Sequence, residues 1–216
     1  MSDSKYKEQE TQCYIKELAR HSSATVHEAL GRIGAVDHEI KPIAKGMKIC
    51  GPVVTVRCHV GDNLMLHKAI ITALPGDVII ADMGNNRQQG SWGAMTSVQA
   101  LHKGINGFVT NSGVRDSEEI TQMGFPVFSS SVCIAGTVKV TTGVINEPIS
   151  FGGVIVNPGD IILGDADGIM VVPRQRLEEA VNASKKREEQ EELMKDKIMN
   201  GASTAELLGL LEKLGI

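Results

Sequence analysis

The middle of the chain switches repeatedly between two hydrophobic periods, and that switching restricts the fold more than any other feature. "ICGPVVTVRCHV" is rich in β-branched residues and reads as a strand. "GDNLMLHKAIITAL" follows as a short amphipathic helix, then "PGDVIIADM" as turn and strand. "SWGAMTSVQALHKG" reads as a helix with Ser91 as its cap and Gly104 as its stop. "INGFVTNS" is a strand, Asp116 to Met123 a helix, and "FPVFSS" another strand. Parallel strands need crossovers, usually helical, so the pattern predicts βαβ units and an α/β fold.

The ends differ from the middle. Lys5 to His21 reads as helical, and "SSATVHEALGRIG" as a second helix with Ser22, Ser23 or Thr25 as candidate caps and Gly31 as a stop. From Gly136 to Pro173 the segments "TVKVTTGVI", "ISFGGVIV", "DIILGD" and "GIMVVP" read as short strands between Gly, Pro and Asp turns. "PGD" occurs at Pro75–Asp77 and again at Pro158–Asp160, each time ahead of a hydrophobic strand, a recurrence that turn chemistry explains. "RQRLEEAVNASKKREEQEELMKDKIMNG" reads as one long charged helix with sparse apolar positions, Leu177, Ala180, Val181, Leu193 and Ile198. A helix this polar is either solvated or lies against another subunit. The division expected is an α/β core over 1–173 and a helical extension over 174–216, packing on a neighbouring subunit.

Bulk properties exclude several roles. The 216 residues suffice for one substantial core. A net charge of −4 gives no basic field for nucleic acid, and one Trp and two Tyr leave little for base stacking. Cys13, Cys50, Cys58 and Cys133 are scattered without a CxxC pair, poor spacing for zinc and for a disulfide framework. "MSDSKYKEQETQ" lacks the apolar core of a signal peptide, and no apolar run reaches the length of a membrane span. The expectation is a cytoplasmic protein that binds neither nucleic acid nor membrane.

Candidate chemistry centres on "TNSGVRDSEEITQMG", Thr110 to Gly124. Arg115 and Asp116 stand where a strand gives way to a helix, at the carboxyl end at which open α/β sheets collect ligands. The guanidinium fork matches a carboxylate, and Asp is a hard oxygen ligand suited to Mg2+ or Mn2+. The competing reading is a helix start, in which Asp116, Glu118 and Glu119 favour the dipole. Glu119, three positions on, either orients metal-bound water or is a solvated acid. In "GSWGAMTS" the helix start exposes amides at Gly93, Ala94, Met95 and Thr96, a feature open to anions but common to helices generally. "MGNNRQQG" lacks the glycine spacing of a dinucleotide or phosphate loop. The six histidines form no HxH or HExxH, His27 reads as a packing residue, and no nucleophile elbow or apolar-strand lysine is present.

Taken together, "SATVHEALGRIG", "VGDNLMLHKAI", "PGDVIIAD", "GFVTNSGVRDSEEI", "GFPVFSS" and "VNPGDIILGDADGIMVVP" resemble the 4-hydroxy-4-methyl-2-oxoglutarate / 4-carboxy-4-hydroxy-2-oxoadipate aldolase family across nearly the whole chain. That family shares a superfamily with the regulator of ribonuclease E activity A. The resemblance implies a layered α-β-β-α sandwich of the ribonuclease-E-regulator type with a long charged C-terminal helix. It implies a class II, metal-dependent pyruvate aldolase that also decarboxylates oxaloacetate. By position, Asp116 matches the metal ligand, Arg115 the arginine holding the pyruvate portion, and Gly93–Thr96 the amides on the substrate carboxylate. Glu191 matches a glutamate reaching a metal-bound water from the neighbouring subunit of a homotrimer, often paired into a hexamer. The sequence departs from the family's D-x20-R-D pattern, because position 94 is Ala. Alanine moves no proton, so decarboxylation is expected to suffer less than aldol cleavage; Asp82 is a candidate substitute. The alternatives are a non-catalytic regulator that binds a ribonuclease, and a lyase of the same fold acting on another 2-oxo or hydroxy acid.

Overall fold

The computed structural model describes residues 2–216, with side chains from Gln9 onward. In chain order the elements begin with α1 (Ser2–Leu18), α2 (Ser23–Ala29), β1 (Lys41–Pro42), β2 (Ile49–Arg57), α3 (Leu64–Thr72), β3 (Val78–Asp82), β4 (Gly90–Trp92) and α4 (Ala94–His102). They continue through β5 (Gly107–Thr110), β6 (Gly113–Val114), α5 (Ser117–Met123), β7 (Val127–Ser129), β8 (Ser131–Val132), β9 (Val144–Ile145), β10 (Ile149–Phe151) and β11 (Val154–Val156). The last are β12 (Ile161–Gly164), β13 (Ile169–Val172), α6 (Leu177–Met199), α7 (Thr204–Leu207) and α8 (Leu211–Leu214).

β2, β3, β5 and β7 are parallel neighbours in that order, joined by α3, α4 and α5, as the alternating pattern predicts. Antiparallel strands complete the sheet, β1 beyond β7 and the β12–β13 hairpin beyond β2. Successive side chains of a strand face opposite ways, and the core divides accordingly. Val54, Val56, Ile79, Ala81 and Phe108 pack with Met65, Leu66 and Ile70 of α3 and Ile120 of α5. Their neighbours Val53, Val78, Ile80 and Val109 pack on the other face with Ile149, Phe151 and Val156 of the β10–β11 hairpin. Ile161, Leu163, Met170 and Val172 bury α1, α2 and the first two turns of α6, through Leu18, Val26, Leu177, Ala180 and Val181. The fold is thus the mixed, layered α/β fold expected.

Three local expectations need correction. Ser91 is not a helix cap: it lies in β4, where its hydroxyl donates to the Gly113 carbonyl at 3.0 Å. Parallel pairing of β4 with β6 extends the chain to Trp92, so α4 starts two residues late, with Gly93 at the cap. Asp116 precedes α5 in the left-handed region (φ 57°, ψ 34°) rather than opening the helix. "TVKVTTGVI" forms a strand only at Val144–Ile145; Val138 makes one bridge with Asp62, and the amides of Val140 and Thr141 go to the Asp62 carboxylate instead of a neighbouring strand. The charged helix α6 is half embedded and half exposed: Leu177 to Ser184 supplies its buried positions, while Leu193, Ile198 and Met199 are exposed.

Leu66 is fully buried between α3 and the sheet. Leu66→Ala should cost about 2–5 kcal/mol, read as a lowered midpoint in urea denaturation.

Candidate active site

Two βα connections, the one after β3 and the one after β5, meet at the carboxyl end of the parallel strands. Trp92 fixes the first: its ring stacks on Phe108 with centroids 4.0 Å apart, and its Nε1 donates to Ser97 Oγ at 2.7 Å. The second is tied to it by the Arg115 amide, which donates to the Trp92 carbonyl at 2.9 Å. The left-handed backbone at Asp116, unusual for a residue with a side chain, brings its carboxylate back onto the start of α4. There Oδ2 accepts from the Ala94 amide at 3.0 Å and lies 3.8 Å from Arg115 Nε. Oδ1 has no hydrogen-bond partner among the described residues. Both side chains remain partly exposed, 48% for Arg115 and 41% for Asp116.

Glycine is required at two places in this junction. A Cβ on Gly93 would stand 2.5 Å from Asp116 Oδ2, and one on Gly90 2.5 Å from the Cys133 carbonyl and 2.9 Å from Arg115 Cβ. The helix-start amides are divided. Gly93 N–H donates to Thr96 Oγ1 at 3.0 Å, and Ala94 N–H serves Asp116. Met95 and Thr96 keep first-turn N–H groups without a partner among the described residues.

Arg115 and Asp116 stand between two cavities. One, of about 180 Å3, is lined by Gly93–Thr96, Asn63, His67, Thr137 and Lys139. The other, of about 720 Å3, is open and lined by Glu118, Glu119, Gln122, Cys133 and Ile134. Asn63, His67 and Lys139 were not singled out as site residues from the sequence. Asn63 is 7% exposed; its Nδ2 donates to the Ser91 carbonyl at 2.9 Å, and its Oδ1 is buried without a partner. His67 Nε2 is likewise buried and unpartnered. Burial, and then the Lys139 ammonium, push the His67 pKa below its usual value, so the imidazole is neutral near pH 7. The available signal was the four-residue spacing of Asn63 and His67, which places both on one helical face.

Other expected residues lie elsewhere. Asp82 accepts from Asn111 Nδ2 at 2.7 Å and the Gly84 amide at 3.0 Å, and lines neither cavity. Glu119 borders the open cavity only. Glu191, on α6, is 2.8 Å from Arg187 Nε in its own chain and lines neither cavity. No group of three or more His, Cys, Asp or Glu is placed to hold a metal ion together among the described residues. That donor set does not suit a closed zinc site. One carboxylate with a free oxygen, open to solvent, suits Mg2+ or Mn2+, which take one or two carboxylates and fill their shell with water and ligand.

The RraA-like family, described as Aldolase/RraA, matches residues 23–171. The chain belongs to the Aldolase/RraA family. A relative from Halalkalibacterium halodurans, named "Putative 4-hydroxy-4-methyl-2-oxoglutarate aldolase", is 35% identical over 179 residues, 83% of this chain and 85% of its own. An uncharacterised protein of Methanocaldococcus jannaschii is 33% identical over 79% of this chain and 83% of its own. Among solved structures, a Pseudomonas syringae protein shares the fold at a TM-score of 0.79 and 24% identity, covering 89% of this chain and 94% of that one. The RNA-processing inhibitor RraA from Thermus thermophilus is similar at a TM-score of 0.61 and 27% identity, over 67% of this chain and 88% of that one. Within this Aldolase/RraA chain no described helix is long and apolar enough to cross a membrane.

Gly93→Ala should destabilise the protein by about 1–3 kcal/mol, because the added methyl meets a fixed carboxylate. Gly136→Ala, whose Cβ would sit 3.5 Å from Arg115 Nη1, should stay within about 0.5 kcal/mol of wild type. Paired urea titrations check both.

Proposed function

We propose that this chain is a carbon–carbon lyase that cleaves a small 2-oxo dicarboxylic acid to release pyruvate, with Mg2+ or Mn2+ held by Asp116. The observation that carries the reading is the Asp116 carboxylate, pinned through one oxygen by the Ala94 amide and open through the other beside Arg115. The relatives named as aldolases support the lyase class.

A divalent ion held by Asp116 would supply Lewis-acid polarisation of the substrate's 2-oxo group. Arg115 forks the adjacent carboxylate, with the Met95 and Thr96 amides as further donors. Lys139, from the 136–141 segment of the same cavity lining, meets the second carboxylate of the substrate. Ala94 can move no proton, but His67 lines the same cavity as a neutral imidazole with a bare Nε2. In aldol cleavage it takes the proton of the C4 hydroxyl as the C3–C4 bond breaks, and returns it to C3 of the departing pyruvate unit. Oxaloacetate decarboxylation loses CO2 without a base; no hydroxyl proton loads His67, and C3 takes its proton from water.

Self-assembly completes the reading. Met95, Val98 and Leu101 form an exposed apolar row on α4, with Ile71 of α3 and Leu74 just past its end also exposed. A homotrimer or hexamer would cover such a row, and Glu191 can reach a metal-bound water only from another copy. The second reading, a non-catalytic regulator, is supported by the likeness to the Thermus inhibitor. Recovery of a ribonuclease by the tagged protein, with no turnover under any metal condition, would favour it.

Pyruvate release should be followed from oxaloacetate and from 4-hydroxy-4-methyl-2-oxoglutarate, with Mg2+ or Mn2+ and with chelator. Turnover should depend on metal and vanish in Asp116→Asn. His67→Gln should lower aldol cleavage about 10²–10⁴-fold and decarboxylation much less. Equal loss of both reactions would remove His67 from the first proton transfer. No metal-dependent turnover of either substrate would retire the lyase.

A further inference from the structure

The segment Gly136–Thr141 forms one wall of the smaller cavity, yet it has little apolar anchorage. Val138 and Val140 are 58% and 77% exposed, while Thr137 and Lys139 line the cavity. This alternation is that of an extended chain with one face on solvent and one on the site. What holds the segment is Asp62, itself 1% exposed. Its Oδ2 accepts from the amides of Val140 at 2.8 Å and Thr141 at 2.6 Å, and its Oδ1 from the Leu64 amide at 2.9 Å, at the start of α3. Two backbone bonds flank the carboxylate, Val138 N–H to the Gly61 carbonyl and Asn63 N–H to the Val138 carbonyl, each 3.0 Å. With these two bonds, the Asp62 carboxylate joins the start of α3, where Asn63 stands at the cap and His67 follows within the helix, to the segment bearing Lys139.

We propose that Asp62 is a positioning residue that sets Lys139 against the substrate's second carboxylate. The inference rests on the lyase reading for the identity of that ligand, but not for the clamp. A buried carboxylate accepting three backbone amides is strongly oriented. The two amides bracket the residue that follows Lys139, so the lysine's Cα has little freedom while both bonds are made. Burial alone would raise the Asp62 pKa, but the Leu64, Thr141 and Val140 amides, with the Thr141 hydroxyl, outweigh it and hold it at about 2. A lowered folded-state pKa means the clamp's stabilisation is complete above the ordinary value of 3.8 and is lost as pH falls toward about 2.

Asp62→Asn keeps the side chain's shape but replaces one acceptor oxygen by a donor, so at least one of the three amides loses its partner. Malonate is the probe, since it carries two carboxylates and cannot turn over; pyruvate is the one-carboxylate control. By calorimetry with Mg2+ or Mn2+ present, Asp62→Asn should weaken malonate at least about tenfold and pyruvate less than about twofold. Lys139→Ala should do the same, and the double variant should be no weaker than Lys139→Ala alone, the non-additivity expected of residues acting as one unit. Hydrogen exchange at residues 137–141 should quicken in Asp62→Asn and stay unchanged in Lys139→Ala. Should Asp62→Asn fail to fold, Val140→Pro removes one donor from the segment and leaves Asp62 intact, and should shift malonate in the same direction by less.

Unchanged exchange and affinity in Asp62→Asn, or losses that add independently to those of Lys139→Ala, would overturn the proposal. Equal weakening of malonate and pyruvate would also overturn it, since that is general damage to the site. If wild type binds neither acid, the lyase reading fails, and this role for Lys139 fails with it. The exchange measurement would then still decide, separately, whether Asp62 holds the segment.

Discussion

The hydrogen bond from the Ala94 amide to Asp116 is the constraint on which the site depends. It joins two connections, one leaving β3 and the other leaving β5, at the point where the site forms; further back the pairing of β4 with β6 and the Ser91 hydroxyl on the Gly113 carbonyl align them. To make it, Asp116 adopts a left-handed backbone and Gly93 gives up any side chain. The cost of such a conformation is of order 1 kcal/mol. The return is a carboxylate with one oxygen fixed and one free, a split that a solvated first-turn acid does not have. Asp116 thus precedes its helix without capping it, and its side chain serves the start of α4 instead.

Sequence reading succeeded where local chemistry and tertiary structure agree. β3 reads as "VIIAD" because every one of its apolar residues is buried on one face or the other, and the parallel order of β2, β3, β5 and β7 follows from the helices between them. The strand-to-helix junction at Arg115 and Asp116 was legible, because β6 ends at Val114 and α5 opens at Ser117.

Reading failed where a side chain took over the backbone's bonding. The alternation in "TVKVT" is that of a half-buried strand, but its valines face solvent and its amides are consumed by Asp62, 78 and 79 positions away. No window of local sequence contains both ends of that arrangement. The same limit hid the cavity. Asn63 reaches the Ser91 carbonyl 28 positions on, and His67 and Lys139 become neighbours only when α3 and the 136–141 segment converge. Ser91 misled for a related reason. It is a good capping residue by type, but the pairing of β4 with β6 outweighs local capping preference. α6 is mixed: its early turns share a cluster with α1 and α2, and the pair of His21 Nδ1 with Glu188 Oε1 at 2.8 Å fastens it before it projects.

The alanine at position 94 changes the charge of the site as well as its proton chemistry. An aspartate there would put a second carboxylate on the turn already bonded to Asp116, and two close carboxylates raise the pKa of one and strengthen the hold on a cation. With alanine, the ionised groups lining the smaller cavity are Arg115, Lys139 and Asp116, a surplus of one positive charge while His67 is neutral. Under the lyase reading a bound divalent ion would add two more. With such an ion in place the site would favour a dianion over a monoanion, in a chain whose overall charge is −4. Under the lyase reading the same charge would suit a neutral base: a histidine beside Lys139 would resist protonation until a reaction supplied the proton, and would then have reason to give it up again.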